Sequence, residues 1–389
     1  MPQLSTRPAF LSAEELPYDC LLKNPERFAD LPETDMDVLS EVLKVVKLQG
    51  AIFYNGEFSA PWSFRSPESC NVAPLVAAGA EHVIIYHLLT EGRASAYVDD
   101  GERLSLEAGD VVIFPHGDAH IIENGRPSKT VDLLEDLGRI FSQGLRLARA
   151  GGGGVVTKFV CGYMACDPRL SQVFLSGLPP VFKVSIRDDA SGRWLENSIR
   201  FSVDQADASQ AGGEAVLAKL SEVLFVETLR VYIAHLSPKQ TGWLAGARDP
   251  EVGKTLALMH RDPAHPWTIA SLAQEVGVSR SVLAERFRHY LNEPPMAYLT
   301  RWRLQLGAQM LGSTSYSVVQ IASAVGYESE AAFNRAFKRE FTVPPARFRS
   351  QSRSAHATSS KNVKTANDHS SASYRKALVR PPKADRQSF

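Results

Sequence analysis

The feature that most constrains this chain is a repeat of about fifty residues near its C-terminal end. Ile269-Ala270-Ser271-Leu272-Ala273-Gln274-Glu275-Val276-Gly277 returns as Val318-Val319-Gln320-Ile321-Ala322-Ser323-Ala324-Val325-Gly326. Leu272 matches Ile321, Ala273 matches Ala322 and Gly277 matches Gly326, all 49 positions apart. After one extra residue in the second turn, Leu283 matches Phe333 and Phe287 matches Phe337, and Pro294-Pro295 returns as Pro344-Pro345. In each unit a small alanine lets two helices cross closely, and a glycine takes a turn conformation that a Cβ would strain. Ser279 and Ser329 stand where a side chain caps the second helix. The pairs Leu283/Phe287 and Phe333/Phe337 are four apart and face a core. Two helix-turn-helix units are therefore expected.

Between the units, residues 295–311 open with a proline suited to a first helical turn and place Leu299, Trp302, Leu306 and Met310 in one apolar stripe. At about 1.5 Å per residue this is a rod of roughly 25 Å. Such a rod suits two second helices lying in successive major-groove segments, about 34 Å apart on one DNA face. Position in the motif makes Arg280, Ser281, Ala284 and Glu285 the base-reading candidates of the first unit. Glu330, Ala331, Asn334 and Arg335 are those of the second. Arginine suits a guanine edge and asparagine an adenine edge. Arg288, Lys338, Arg339 and Arg349 are placed for phosphates. The zero net charge hides an asymmetry that agrees with this. Residues 1–259 hold 24 basic and 34 acidic side chains, 260–350 hold 11 and 7, and 351–389 hold 8 and 2.

These residues resemble the AraC/XylS family of transcription regulators. Its signature ends in a pattern like Ile321-Ala322, Val325-Gly326-Tyr327, Ser329, Phe333, Arg335-Ala336-Phe337-Lys338-Arg339, Phe341, Pro345 and Phe348-Arg349. The resemblance covers about 100 residues. It implies a regulator that reads double-stranded promoter DNA, usually activates transcription, and works with RNA polymerase. Two positions depart from the family habit: Ala284 is small and Glu285 is acidic. Glu285 suits cytosine N4 or a pair with Arg288.

From 51 to 163 the apolar pattern has period two, with candidate strands at 51–58, 82–89, 94–98, 103–106, 110–114, 119–123 and 157–163. Many short strands in so few residues predict a small sandwich or barrel. Gly109, Pro115, Gly117, His120 and Asn124 fall at the spacing known from cupins, so this part resembles a cupin-like β-barrel. The expected fold is thus multi-domain: a cupin-like sensor barrel with C-terminal helices, then an all-α tandem helix-turn-helix domain. The expected boundaries are 36–236, a linker at 237–248, and 249–349, with disordered segments at 1–35 and 350–389. Residues 168–236 read as helical. The stretch 213–235 has an apolar face too broad for an isolated surface helix, which predicts packing on the sensor or a homodimer.

His87, His120 and Cys161 lie on three of the expected strands. Imidazole and thiolate are proper zinc ligands, with His116, Cys166 or water as a fourth. Hydrogen-bonded core histidines are the competing reading. Cys161 and Cys166 are also a candidate redox pair. A third possibility is an apolar effector pocket lined by Phe53, Tyr86, Tyr97 and Phe114. The His-x-His motif of metal-dependent cupin enzymes is absent near His87, which disfavours the alternative of a cupin enzyme with a helical appendage. The chain has four cysteines, no 18-residue apolar run and no export signal at its start, so a non-membrane, cytoplasmic, non-enzymatic protein is expected.

Overall fold

The computed structural model describes residues 38–351, apart from short stretches at 46–47, 77–79, 81, 100, 127–128, 135–136, 138–139, 141–144, 166–174, 176, 189, 206–211 and 238–239. Two sheets lie face to face in the N-terminal part. The first contains β1 (Gln49–Ser59), β3 (Val83–Glu91), β6 (Asp110–Phe114), β9 (Ala148–Gly151), β10 (Val156–Ala165) and β11 (Phe182–Ser185), in the order β11-β6-β3-β10-β1-β9. The second contains β2 (Trp62–Ser66), β4 (Arg93–Val98), β5 (Leu104–Glu107), β7 (His120–Asn124) and β8 (Val131–Asp132), in the order β5-β4-β7-β2-β8.

The alternation of side chains along a strand explains how the first sheet is covered on both faces. On β3, Ile84, Tyr86 and Leu88 join the core beneath helices α3 (Ala190–Gln205) and α4 (Gly213–Ala234). Leu89 of the same strand meets Phe64, Ala96 and Ile122 of the second sheet, together with Val112, Phe114, Phe159 and Cys161. A strand buried on both faces loses the polar–apolar alternation, which is why Val83–Glu91 is apolar almost throughout.

The C-terminal part is helical. Helix α5 (Trp243–Arg248) leads into α6 (Pro250–Arg261), which starts on an Asp249 cap and a first-turn proline. The first unit is α7 (Ile269–Glu275) and α8 (Arg280–Leu291), and the second is α10 (Val318–Ala324) and α11 (Glu330–Phe341). Both turns use glycine at positive φ, 75° at Gly277 and 80° at Gly326. Ser279 accepts from the Val282 amide and Ser329 from the Ala332 amide, while Thr268 and Ser317 close capping boxes on α7 and α10. Between the units runs α9 (Pro295–Ser313), about 28 Å long at 1.5 Å per residue. The expected stripe of Leu299, Trp302, Leu306 and Met310 is buried, and Leu304, Ala308 and Leu311 are buried with it. A broader buried surface follows from both units packing on one helix.

The two parts are in contact. The short helix α1 (Val38–Val45) packs on α6, with Val38, Leu39 and Val42 in the joint core. The Gly177 and Gly242 backbones lie so close that a Cβ on either would stand about 3 Å from the other. The Gly242 amide then donates to the Tyr290 carbonyl at the end of α8.

Three expectations need correction. Residues 168–236 are not uniformly helical, because Phe182–Ser185 is a strand on β6. The strand zone contains a helix, α2 (Ser69–Val76). Residues 62–66, 131–132 and 148–151 form strands that were not expected; the last two are too short to show a period. The expected disordered ends lie outside the described residues, except for helical Ser350 and Gln351.

Candidate nucleic-acid interface and sensor site

Capping and core contacts fix the rotation of α8 and α11. Leu283, Phe287, Phe333 and Phe337 are fully buried, which turns the opposite arcs outward. Arg280, Ser281, Glu285 and Arg288 are exposed on α8, with Ala284 half-buried between them. Glu330, Ala331, Arg335 and Lys338 are exposed on α11, and half-buried Asn334 donates through Nδ2 to Glu330 Oε1 at 3.4 Å. These ten residues thus lie on two outward arcs.

Arginine partners divide the cations into two groups. Arg286 pairs with Asp249 and with Glu251 at 3.0 Å, and Arg301 pairs with Glu293. Arg303 donates to the carbonyls of Pro263 and His265. By contrast, Arg280, Arg288, Arg335 and Lys338 have no hydrogen-bond or ion-pair partner among the described residues. Arg349 was expected at phosphates, but its guanidinium donates to the Tyr316 carbonyl at 2.5 Å and serves as an internal strut. The suggested Glu285–Arg288 pair is not formed among the described residues.

Inside the sensor, His87 on β3, His120 on β7 and Cys161 on β10 come together as a chain. His120 Nδ1 lies 2.9 Å from the Asp118 carbonyl, which can only accept, so the proton sits on Nδ1 and Nε2 keeps a lone pair. His87 Nε2–H donates to that lone pair at 2.8 Å. His87 Nδ1 is then an acceptor, and the Cys161 thiol donates to it at 2.7 Å. Burial holds all three groups neutral: it pushes His120 down to about 4, His87 well below the usual imidazole range, and Cys161 upward. The Phe114 ring stacks on His120 at 3.6 Å.

The fit of this cluster to zinc is poor. Four tetrahedral ligands must aim lone pairs at a common centre. Here each imidazole lone pair already accepts a hydrogen bond, and His87 uses its two nitrogens in opposite directions. Among the described residues no group of three His, Cys, Asp or Glu side chains is arranged around a metal-sized centre. His116 is engaged elsewhere, donating from Nε2 to the Leu178 carbonyl at 2.9 Å, and Cys166 lies outside the described residues.

Beside the chain is a small cavity of about 30 Å³, lined by Phe53, Tyr54, Phe58, Phe64, His87 and Cys161 among others. Of the four residues expected to line an effector pocket, Phe53 does. Tyr86 points to the other face, its hydroxyl 2.5 Å from Ser221 Oγ. Tyr97 is at the surface under Arg103, and Phe114 is packed against His87 and His120. A one-residue change of strand phase separates Tyr86 from His87.

A sandwich sensor in contact with paired helix-turn-helix units on one rigid helix defines a DNA-binding transcription regulator. Residues 37–234 match the family model described as Cupin, and 272–351 match that described as Helix-turn-helix domain. A putative AraC-like transcription regulator of Streptomyces antibioticus is 31% identical over 324 residues, covering 81% of this chain and 98% of that protein. The HTH-type transcriptional regulator AlkR of Acinetobacter baylyi is 29% identical, covering 82% and 100%. The RCS-specific HTH-type transcriptional activator RclR of Escherichia coli is 29% identical, covering 82% and 99%. The chain belongs to the AraC-like transcription regulators, in the form that carries a cupin domain.

Proposed function

We propose that this regulator reads two adjacent major-groove segments of promoter DNA with α8 and α11 and activates transcription with RNA polymerase in response to a small effector bound by the sensor. The observation that carries the reading is the pair of outward arcs with unpartnered cations, on two units that both pack on α9, a helix about 28 Å long. A rod of that length suits two helices lying in successive major-groove segments, about 34 Å apart on one DNA face. The proposed division is a sensor at 36–236, a linker at 237–248 whose helix α5 packs against the following domain, and a DNA-binding domain at 249–349. The proposed base readers are Arg280, Ser281, Ala284, Glu285, Glu330, Ala331, Asn334 and Arg335, with Arg288 and Lys338 on phosphates.

The cytoplasm is the proposed location. Among the described residues no helix is long and apolar enough to cross a membrane. A non-enzymatic role is supported by the names of the relatives, which are those of transcriptional regulators. The proposed effector site lies beside His87 and Cys161, where the cavity of about 30 Å³ is the size of one water and would have to open to admit an organic molecule. Stoichiometric zinc in the purified protein, lost in Cys161→Ser, would replace the effector with a metal at the same residues.

Footprinting on the upstream region of the gene tests the main reading. Protection of one DNA face across two adjacent turns is expected. Protection confined to a single turn removes the two-helix arrangement.

A homodimer through the outer faces of α3 and α4 is also proposed. Trp194 and Phe201 are 62% and 68% exposed, seven residues apart on α3, and Val216 and Val223 are 52% and 47% exposed, seven apart on α4. Side chains seven apart share one face of a helix, and exposed apolar faces of this kind suit an interface. Sedimentation at micromolar concentration should show a dimer that Phe201→Asp converts to monomer. A monomeric wild type would end the dimer proposal.

A further inference from the structure

The two DNA-facing helices carry opposite charge sequences at equivalent positions. At the 50-residue offset, Arg280 corresponds to Glu330 and Glu285 to Arg335, while Arg288 and Lys338 keep the same sign. In α8 the cation stands at the first helical position and the carboxylate five residues later. In α11 the carboxylate comes first and the cation five residues later. Five residues advance about 7.5 Å along a helix and turn about 140° around it. The two charges therefore stand at opposite edges of the outward arc. They are separated by about two base-pair steps of roughly 3.4 Å.

Nothing inside the protein requires this exchange. Both helices are capped by serine, and both bury the same two positions, Leu283/Phe287 and Phe333/Phe337. Arg280, Glu285 and Arg335 are exposed without a hydrogen-bond or ion-pair partner among the described residues, and Glu330 accepts one long bond from Asn334. The difference exists only on the surface that faces DNA. There it has chemical meaning: a guanidinium pairs with guanine O6 and N7, whereas a carboxylate accepts from cytosine N4 and is repelled by the guanine acceptors.

We infer that the exchanged charges make the operator two unlike sub-sites rather than a direct repeat. This rests on the reading of α8 and α11 as DNA readers. The first unit reads guanine at the N-terminal edge of its helix, and the second reads guanine at the far edge. The two units dock alike because their cores and helix caps are alike. The separation of the two guanines therefore departs from one helical turn, about 10–10.5 base pairs, by about two base pairs.

Selection from a randomised duplex library with the full chain tests this. Wild type should enrich sites with two preferred guanines separated by about 8 or about 12 base pairs. The double variant Arg280→Glu/Glu285→Arg copies the charge order of the second unit onto the first. It should move the separation to about 10–10.5 base pairs and turn the site into a direct repeat. Arg280→Ala should reduce the first guanine preference about tenfold, whereas Arg288→Ala should weaken all sites alike. Wild-type guanines one turn apart, or a double variant that leaves the pattern unmoved, overturn the inference while leaving both helices as readers. No enriched sequence at all removes the two-helix reading beneath it.

Discussion

The Asp118 carbonyl sets the protonation of three sensor side chains, because an acceptor at one end of a closed hydrogen-bond chain dictates every donor after it. His120 and His87 are neutral in the fold and free to protonate once unfolded, so the unfolded chain binds more protons below the ordinary imidazole pKa of 6.5. Their contribution is complete above pH 6.5 and is lost as pH falls toward the folded value of His120, about 4. A shift of that size corresponds to about 3 kcal/mol for His120 alone. Thermal unfolding followed from pH 7.5 to 4.5 should show a falling midpoint, with a shallower fall in His120→Gln. A slope identical in the variant would mean that another group carries the acid sensitivity. On the DNA side, Arg335→Ala should weaken operator binding by about 1–3 kcal/mol and relax one base position. Titration of the native promoter with unchanged affinity would reject Arg335 as a reader.

Among the elements, the tandem units were the legible part of the sequence, because everything that shapes them is local. Serine caps, the turn glycines and pairs such as Phe333/Phe337 act within one or two helical turns. The αL residues that end α8 and α11, Asn292 and Thr342, carry no comparably strong signal, since their φ values of 57° and 64° are ones that glycine usually takes. The sensor was legible only in outline. Four-residue Phe182–Ser185 is a strand because β6 offers an open edge, which no local window contains. The candidate site was half legible. His87, His120 and Cys161 were found, but their hydrogen-bond order depends on the Asp118 carbonyl and on strand register. A junction between elements was not legible at all. Trp243 Nε1 on α5 donates to the Tyr298 hydroxyl of α9 at 2.8 Å, and His260 Nε2 of α6 lies 2.7 Å from the same oxygen. Tyr298→Phe would strand two buried polar groups and should cost about 2–4 kcal/mol, read from urea unfolding. A loss below about 0.5 kcal/mol would show that these groups find other partners.

At the scale of the whole molecule, sensor and reader share a core through α1 and α6, and the Gly177–Gly242 contact leads to the end of α8. Val42 is fully buried in that shared core. Val42→Ala should cost roughly 1–3 kcal/mol by leaving a void. It should also split one calorimetric transition into two, because the lost contact is one of those that join the domains. A single transition shifted as a whole would mean that the coupling runs elsewhere. The position of α1 also has a consequence for synthesis. Residue 45 leaves the ribosome about two hundred residues before residue 250. At roughly 5–20 residues per second, α1 waits some 10–40 seconds for the surface it covers. The sensor sheets between them are complete by then, so a nascent chain acquires its DNA-reading half only after the half that governs it is in place.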